Sequence, residues 1–449
     1  MGKLFGTDGI RGVANEYPMT ADLALNIGKA TAHYFKRKDH RAKIIIGKDT
    51  RISGYMIENA LISGICSMGV DAIMVEVMPT PGIAFLTQSM RADAGIVISA
   101  SHNPYQDNGI KIFSSDGYKL PDDTEKEIEE LILKNDMHSL HPSPHELGKV
   151  YRIEGARDRY IAFLKSIFPN KLTLEGMKIE LDCANGATYR VAPQTFIELG
   201  ADVTTRFDRP NGSNINDKCG SQHPEMLVEK VLKRKADVGF AFDGDGDRLI
   251  AVDEKGYVLT GDRIMALCAA SMKKKGKLTN NLIVATVMSN LGLGQALKSL
   301  GIDMVTAKVG DRYVLEEMKA RGASIGGEDS GHLIFLHDHT TGDGILTAIQ
   351  ILIAMVEEKK PLSELANIMT VFPQKLINID VTARPDIETV PEIVQAIKTV
   401  EEALGEKGRI LVRYSGTQNM CRVMVEGPTD EETERYCRQV AEVVKKVIG

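Results

Sequence analysis

The chain has 449 residues, too many for one hydrophobic core, so roughly three or four domains are expected. Its 43% hydrophobic, 26% charged and 5% aromatic composition is ordinary for a soluble protein, and a formal net charge of −6 gives no electrostatic case for nucleic acid. No apolar run approaches the ~20 residues of a membrane span, and the opening MGKLFGTDG lacks a signal core, so a cytoplasmic protein is expected.

Residues 21–37, ADLALNIGKATAHYFKR, have helical apolar spacing, AKIIIGKD reads as a buried strand, and MIENALISGICSMG is helical again. DAIMVEVMPTP reads as another strand, and AGIVISAS runs as a strand into a loop. Such alternation predicts βαβ units and a parallel sheet covered on both faces. The segment NDMHSLHPSPHELG reads as a linker. The rhythm restarts at MKIELDCANG and runs through ADVGFAFDGDGDRLIAVDEKG. A third round comprises NLIVATVMSN, GLGQALKSLG, DMVTAKVGDRYVLEEMKARG, GGEDSGHLIF and the long apolar helix GILTAIQILIAMVEEK. The last ~80 residues mix short strands with helices, as α+β domains do. The predicted fold is three α/β domains with mixed, mostly parallel sheets (1–150, 151–253, 254–368) and a smaller α+β domain (369–449). Cys66, Cys183, Cys219, Cys268, Cys421 and Cys437 form no C-x-x-C pair and no metal-ligand spacing with histidines, so they read as reduced structural thiols.

Four loops carry chemistry-bearing residues, one per predicted domain. Ser99-Ala-Ser101-His102-Asn103-Pro104 follows a strand, where rigid scaffolds present reactive groups, though Ser, Asn and Pro also simply make turns. A serine there becomes a nucleophile only when a base, a dipole or a metal activates it. Asp243-Gly244-Asp245-Gly246-Asp247-Arg248 converges three carboxylates that repel unless a cation lies between them, and an all-oxygen donor set favours Mg²⁺ or Ca²⁺ over zinc. An EF-hand would need Gly where Arg248 stands and helices on both sides, whereas VGFAF and LIAV read as strands. A haloacid-dehalogenase-type loop, with Asp243 as nucleophile, would have Thr or Val where Asp247 intervenes. Gly326-Gly327-Glu328-Asp329-Ser330-Gly331-His332 offers a carboxylate, a hydroxyl and an imidazole suited to a polyol, on what is also ordinary turn composition. Arg413-Tyr414-Ser415-Gly416-Thr417-Gln418-Asn419, followed by Arg422, could cradle a phosphate dianion or could be a plain strand turn.

Together a nucleophile, a divalent cation, a polyol loop and a phosphate clamp suit phosphoryl transfer on a phosphosugar. SASHNP, DGDGDR, GEDSGH and RYSGT, in that order along the whole chain, resemble the α-D-phosphohexomutase superfamily. FGTDGIRG and KVGDRYV resemble its phosphoglucosamine mutase branch. The resemblance implies four domains around a central cleft, with a phosphoserine at Ser101 and Mg²⁺ held by Asp243, Asp245, Asp247 and a phosphoserine oxygen. It further implies sugar hydroxyls on Glu328 and Ser330, and the unreacting phosphate on Arg413, Ser415, Gly416 and Thr417, with Arg422 and Arg248 also facing substrate. The implied reaction interconverts glucosamine 6-phosphate and glucosamine 1-phosphate through a 1,6-bisphosphate, feeding UDP-N-acetylglucosamine and cell-wall precursor synthesis. A phosphomannomutase or phosphoglucomutase is the alternative, and a metal-dependent sugar phosphatase a distant one.

Arg11 and Lys111 are the added cations expected beside the phosphoserine, Lys111 or His332 is expected to move protons, and His102 joins the catalytic group. Expected partners are a hexosamine phosphate and its bisphosphate, with no nucleic acid, no membrane, and a homodimer left open. Two departures stand out. The branch usually continues SGTEP where this chain has Ser415-Gly416-Thr417-Gln418-Asn419, which changes the clamp's charge and stiffness. Asp329 replaces a neutral residue in the sugar loop and is expected to attract the glucosamine ammonium rather than face solvent.

Overall fold

A computed structural model describes residues 4–6, 8–37, 39–134, 142–415 and 419–449. The chain forms two compact units, residues 1–288 with 303–367, and residues 289–302 with 368–449. Among the described residues no helix is long and apolar enough to cross a membrane.

The first unit is built on three mixed sheets. The first has six strands in the order Ile10–Val13, Asp107–Ser114, Ala94–Ile98, Lys43–Lys48, Asp71–Val77 and Val150–Arg152. Lys43–Lys48 is parallel to both its neighbours, while Asp107–Ser114 runs antiparallel to both of its own. Ile44, Ile45 and Ile46 are all fully buried, as a continuous β-branched run in a sheet covered on both faces must be. The segment read as one strand over DAIMVEVMPTP ends at Val77, and a helix Thr80–Ser89 begins instead. Pro79 and Pro81 explain the switch: neither donates to a ladder, and proline suits a helix's first turn.

The second sheet runs Val258–Leu259, Leu249–Asp253, Val238–Phe242, Lys178–Asp182 and Asp202–Arg206. Val238–Phe242 and Leu249–Asp253 pair antiparallel with Phe242 opposite Leu249, so DGDGDR is the tip of a hairpin. The third sheet runs Asp303–Ala307, Leu282–Thr286, Ile325–Gly327 and Leu333–Phe335, and its last two strands form the hairpin carrying GEDSGH. The apolar helix Gly344–Glu358 is capped by Asp343, which accepts from the N–H groups of Ile345 and Leu346.

The second unit is a three-stranded antiparallel sheet, ordered Gln374–Asp380, Met420–Glu426 and Arg409–Tyr414, with helices Pro391–Leu404 and Asp430–Ile448 packed on it. Strand alternation sends Ile377, Ile379, Ile410, Val412, Cys421, Val423 and Val425 to the helices, which leaves Arg413 and Arg422 on the other face. The helix Leu291–Ser299, read from sequence within the third α/β round, belongs to this unit. Fully buried Glu426 accepts from Leu291 N at 2.9 Å, from Arg409 Nε at 2.7 Å and from Gln374 Nε2 at 2.9 Å. A carboxylate at that helix N-terminus is doubly favoured, by the open N–H groups and by the dipole. Replacing Glu426 with Ala strands several donors at once, and about 3 kcal/mol of stability should be lost. Urea unfolding of the full chain measures it, and an unmoved midpoint would show that the group holds nothing.

Candidate active site

The strand Ala94–Ile98 delivers Ser101 into the left-handed region at φ +52°, with only 1% of the residue exposed. Its Oγ donates to Asp243 Oδ2 at 2.5 Å and lies 3.3 Å from His102 Nδ1, while its N–H donates to Ser99 Oγ at 2.9 Å. Burial, with the charges of Arg248 and Arg11, lowers the His102 pKa to about 4, so that imidazole is neutral at physiological pH.

The hairpin tip brings Asp243, Asp245 and Asp247 together with one oxygen of each within 4.8 Å of the others, and all three are at least 96% buried. Burial, then repulsion from Asp247 and Asp245, pushes the Asp243 pKa well above the usual carboxylate range. Burial works against ionised Asp247 too, but Lys111, His332 and Arg248 outweigh it and hold that carboxyl well below the range. Lys111, 1% exposed, lies 3.1 Å from Asp245, 3.5 Å from Asp247 and 3.3 Å from Asp8. Burial disfavours its ammonium, yet those three acids raise its pKa above the ordinary lysine value.

One lysine does not satisfy the triad. Asp245 Oδ1 and Asp247 Oδ1 are buried and accept no hydrogen bond among the described residues. Orphan carboxylate oxygens in an all-oxygen set are what a hard divalent cation requires, so the residues fit Mg²⁺. Asp243, Asp245 and Asp247 would hold it, with Ser101 beside them.

His332 is buried against the same group, its Nδ1 3.6 Å from Asp247 and its Nε2 3.7 Å from Asp311. Burial opposes its charge, but Asp247 and then Asp311 raise its pKa. Gly342 N–H donates to Nε2 at 3.2 Å, and a Cβ at Gly342 would lie 2.5 Å from the ring, so only glycine leaves room for the imidazole. Glu328 Oε1 accepts from Gly310 N at 2.9 Å, which joins GEDSGH to KVGDRYV, and Ser330 is exposed.

Asp329 Oδ1 accepts from Asp262 N at 3.3 Å and its carbonyl from Gly261 N at 2.9 Å, which ties the sugar loop to the start of the helix Gly261–Lys274.

Arg248 donates its backbone N–H to Asp243 Oδ1 at 3.2 Å, and its side-chain Nε is buried without a hydrogen-bond partner among the described residues. Arg11 pairs with Asp8 and reaches the Ala100 carbonyl at 3.4 Å. The structure thus brings together Ser101, His102, Lys111, Arg11, Arg248, His332 and the three aspartates. Arg413, Ser415 and Arg422 lie in the second unit, where Arg413 and Arg422 are direct cross-strand partners. Burial, and then the Arg422 charge, lowers the Arg413 pKa. Gly416 and Thr417 lie outside the described residues, as does Gln418.

Sequence reasoning passed over Asp8, Lys119 and Asp311. Lys119 Nζ is paired with both Asp8 and Asp311, which ties the FGTDGIRG and KVGDRYV motifs to one cation. Both acids stood inside quoted motifs, whereas Lys119 carries no local signal.

Most of the chain matches a single set of four family profiles. These are the phosphoglucomutase/phosphomannomutase α/β/α domains I at 2–139, II at 158–256 and III at 260–372, and the C-terminal domain at 376–443. The chain belongs to the phosphoglucomutase/phosphomannomutase family, as its four motifs indicated. A phosphoglucosamine mutase of Syntrophus aciditrophicus is 72% identical over 449 residues, all of both chains. A phosphoglucomutase/phosphomannomutase family protein of Burkholderia thailandensis shares the fold with a TM-score of 0.80 at 23% identity, over 98% of this chain and 97% of that one. An Aspergillus fumigatus N-acetylphosphoglucosamine mutase, solved with GlcNAc-6P and magnesium, gives 0.67 at 17% identity over 99% and 95%.

Asp245→Asn removes one charge from the triad and one partner from Lys111. Mg²⁺ affinity, measured by titration calorimetry, should fall about tenfold or more. Unchanged binding would take the hairpin out of the metal site.

Proposed function

We propose that this enzyme interconverts glucosamine 6-phosphate and glucosamine 1-phosphate, with Ser101 as the phosphoryl carrier. The observation that carries the reading is Ser101 Oγ, buried 2.5 Å from Asp243 in a triad whose free oxygens call for a cation. The choice of an amino sugar is supported by 72% identity to a phosphoglucosamine mutase along the full length.

Phosphorylated Ser101 donates its phosphoryl group to the free hydroxyl of the bound sugar phosphate. The Ser Oγ–P bond breaks, the sugar O–P bond forms, and the hydroxyl proton passes in net terms to Ser Oγ. A 1,6-bisphosphate results, and returning its other phosphoryl group to Ser101 completes the isomerisation. Mg²⁺, when bound, supplies the positive charge that a phosphoryl dianion beside three aspartates needs. Lys111 or His332, the proton-bearing side chains beside the triad, carries the acid/base role, and Lys111 with Arg11 adds positive charge. Neutral His102, adjacent to Oγ, can accept a hydrogen bond from the serine. Glu328 and Ser330 hold sugar hydroxyls, and Arg248 contributes a guanidinium. Arg413, Ser415, Gly416, Thr417 and Arg422 bind the phosphate that is not reacting. In this proposal residues 1–150 carry the phosphoserine, 151–253 the metal, 254–368 the sugar loop and 369–449 the clamp. The reaction is placed in the cytoplasm and feeds UDP-N-acetylglucosamine synthesis for the cell wall.

Phosphorus NMR of the phosphorylated enzyme with Mg²⁺ and, separately, the 6-phosphates of glucosamine, glucose and mannose tests the reading. Fastest formation of the glucosamine 1-phosphate is expected, and inorganic phosphate without any 1-phosphate would refute a mutase. Ser101→Ala should abolish turnover. Ser99→Ala should only reduce it, because Ser99 supports the Ser101 N–H and carries no phosphate.

A further inference from the structure

Ser101 holds a left-handed backbone that a residue with a side chain keeps only when its surroundings enforce it. The bond from Oγ to Asp243 orients the hydroxyl but leaves that backbone free. Two side chains outside every motif hold it. Arg51, fully buried, donates from Nη2 to the carbonyl of Ser101 at 3.2 Å and to that of Asn103. Asn216 donates from Nδ2 to the same two carbonyls, at 2.9 Å and 3.0 Å. Each carbonyl has two lone pairs, so both oxygens are fully used.

The two donors come from different layers. Arg51 follows the strand Lys43–Lys48 of the first sheet and is braced by Asp49, which pairs with its guanidinium and accepts its N–H at 2.9 Å. Asn216 lies after the strand Asp202–Arg206 of the second sheet, itself left-handed at φ +58°, its N–H donated to the Ala184 carbonyl at 2.9 Å. The acidic hairpin rests on the same spot: a Cβ at Gly244 would lie 2.6 Å from the Ser101 carbonyl and 2.8 Å from Asn216 Nδ2.

We infer that Arg51 and Asn216 are positioning residues that lock the Ser101 backbone of the first sheet to the acidic hairpin of the second, fixing where Oγ stands relative to the triad. The inference rests on the reading of Ser101 as phosphoryl carrier. Neither side chain bonds a triad carboxylate, so their effect is on geometry and not on charge at the cation. Of these two donors Asn216 is the one that comes from the second sheet's side, and its loss frees the serine loop without emptying the triad.

Asn216→Gly is the decisive variant: glycine keeps the positive φ without strain, and the site is partly exposed, so the chain should fold. Its kcat for glucosamine 6-phosphate should fall on the order of tenfold to a hundredfold, because a small misplacement of a reacting atom is that costly. KM, and calorimetric Mg²⁺ affinity of the unphosphorylated enzyme, should both stay within about twofold. Phosphate bound to Ser101 should also leak to water in greater proportion to sugar transfer. Asn216→Asp, which sets an acceptor against two acceptors, should be worse than Gly, and Arg51→Lys, which keeps charge but loses the fork, should fall in the same direction. The inference is overturned if Asn216→Gly keeps kcat within about twofold of the parent. It is equally overturned if Mg²⁺ affinity or folded fraction falls in step with kcat, which would mark a merely structural role. A parent enzyme without mutase activity would remove the underlying reading and the inference with it, whereas an active parent with an unaffected Asn216→Gly removes the inference alone.

Discussion

The repulsion among Asp243, Asp245 and Asp247 is the constraint around which the first unit is arranged. Three carboxylates with oxygens within 4.8 Å of one another, nearly excluded from water, cannot all ionise without compensation. The protein compensates in part. Lys111 reaches two of them, Thr80 Oγ1 donates to Asp245 at 2.7 Å, and Arg248 N–H donates to Asp243. The uneven supply divides the acids, with Asp247 held ionised by Lys111 and His332 while Asp243 is pushed toward its neutral form. Three such acids could hold a divalent cation, and Ser101 Oγ stands at one of them.

Charge alternates outward from this centre. Lys111 touches Asp8, Asp8 touches Arg11 and Lys119, and Lys119 touches Asp311. Every member is at least largely buried in side-chain terms, so each ion has a counter-ion at hand and none is stranded in low dielectric. The chain of pairs joins the N-terminal segment, the strand Asp107–Ser114 and the helix Asp311–Arg321 at one place. Displacing any one charge therefore unbalances the next, which explains why a loop as distant in sequence as KVGDRYV bears on Lys111.

How far the sequence announced all this depends on the range of each interaction. The triad was legible because its members are alternate residues on one hairpin, and VGFAF and LIAV flank it as readable strands. Ser101 was legible because a buried strand precedes it. The three α/β rounds were legible in their β-branched runs, and the C-terminal α+β unit in its short alternating strands. The tie from Asp329 to the start of the helix Gly261–Lys274 was not legible, because that partner lies 67 residues earlier and leaves no local trace. What anchors the helix Leu291–Ser299 is hidden for the same reason, since Glu426, which accepts from its first N–H, is 135 residues away. Arg51 and Asn216 could not be found at all: one looks like a strand-end cation and the other like a turn former, and only folding points both at one pair of carbonyls.

The second unit presents the opposite electrostatic problem to the triad. Arg413 and Arg422 face each other across paired strands, and the Nε of Arg422 is buried with no partner among the described residues. Burial and then the Arg422 charge lower the Arg413 pKa, and a planar guanidinium fork matches a phosphate better than a point charge would.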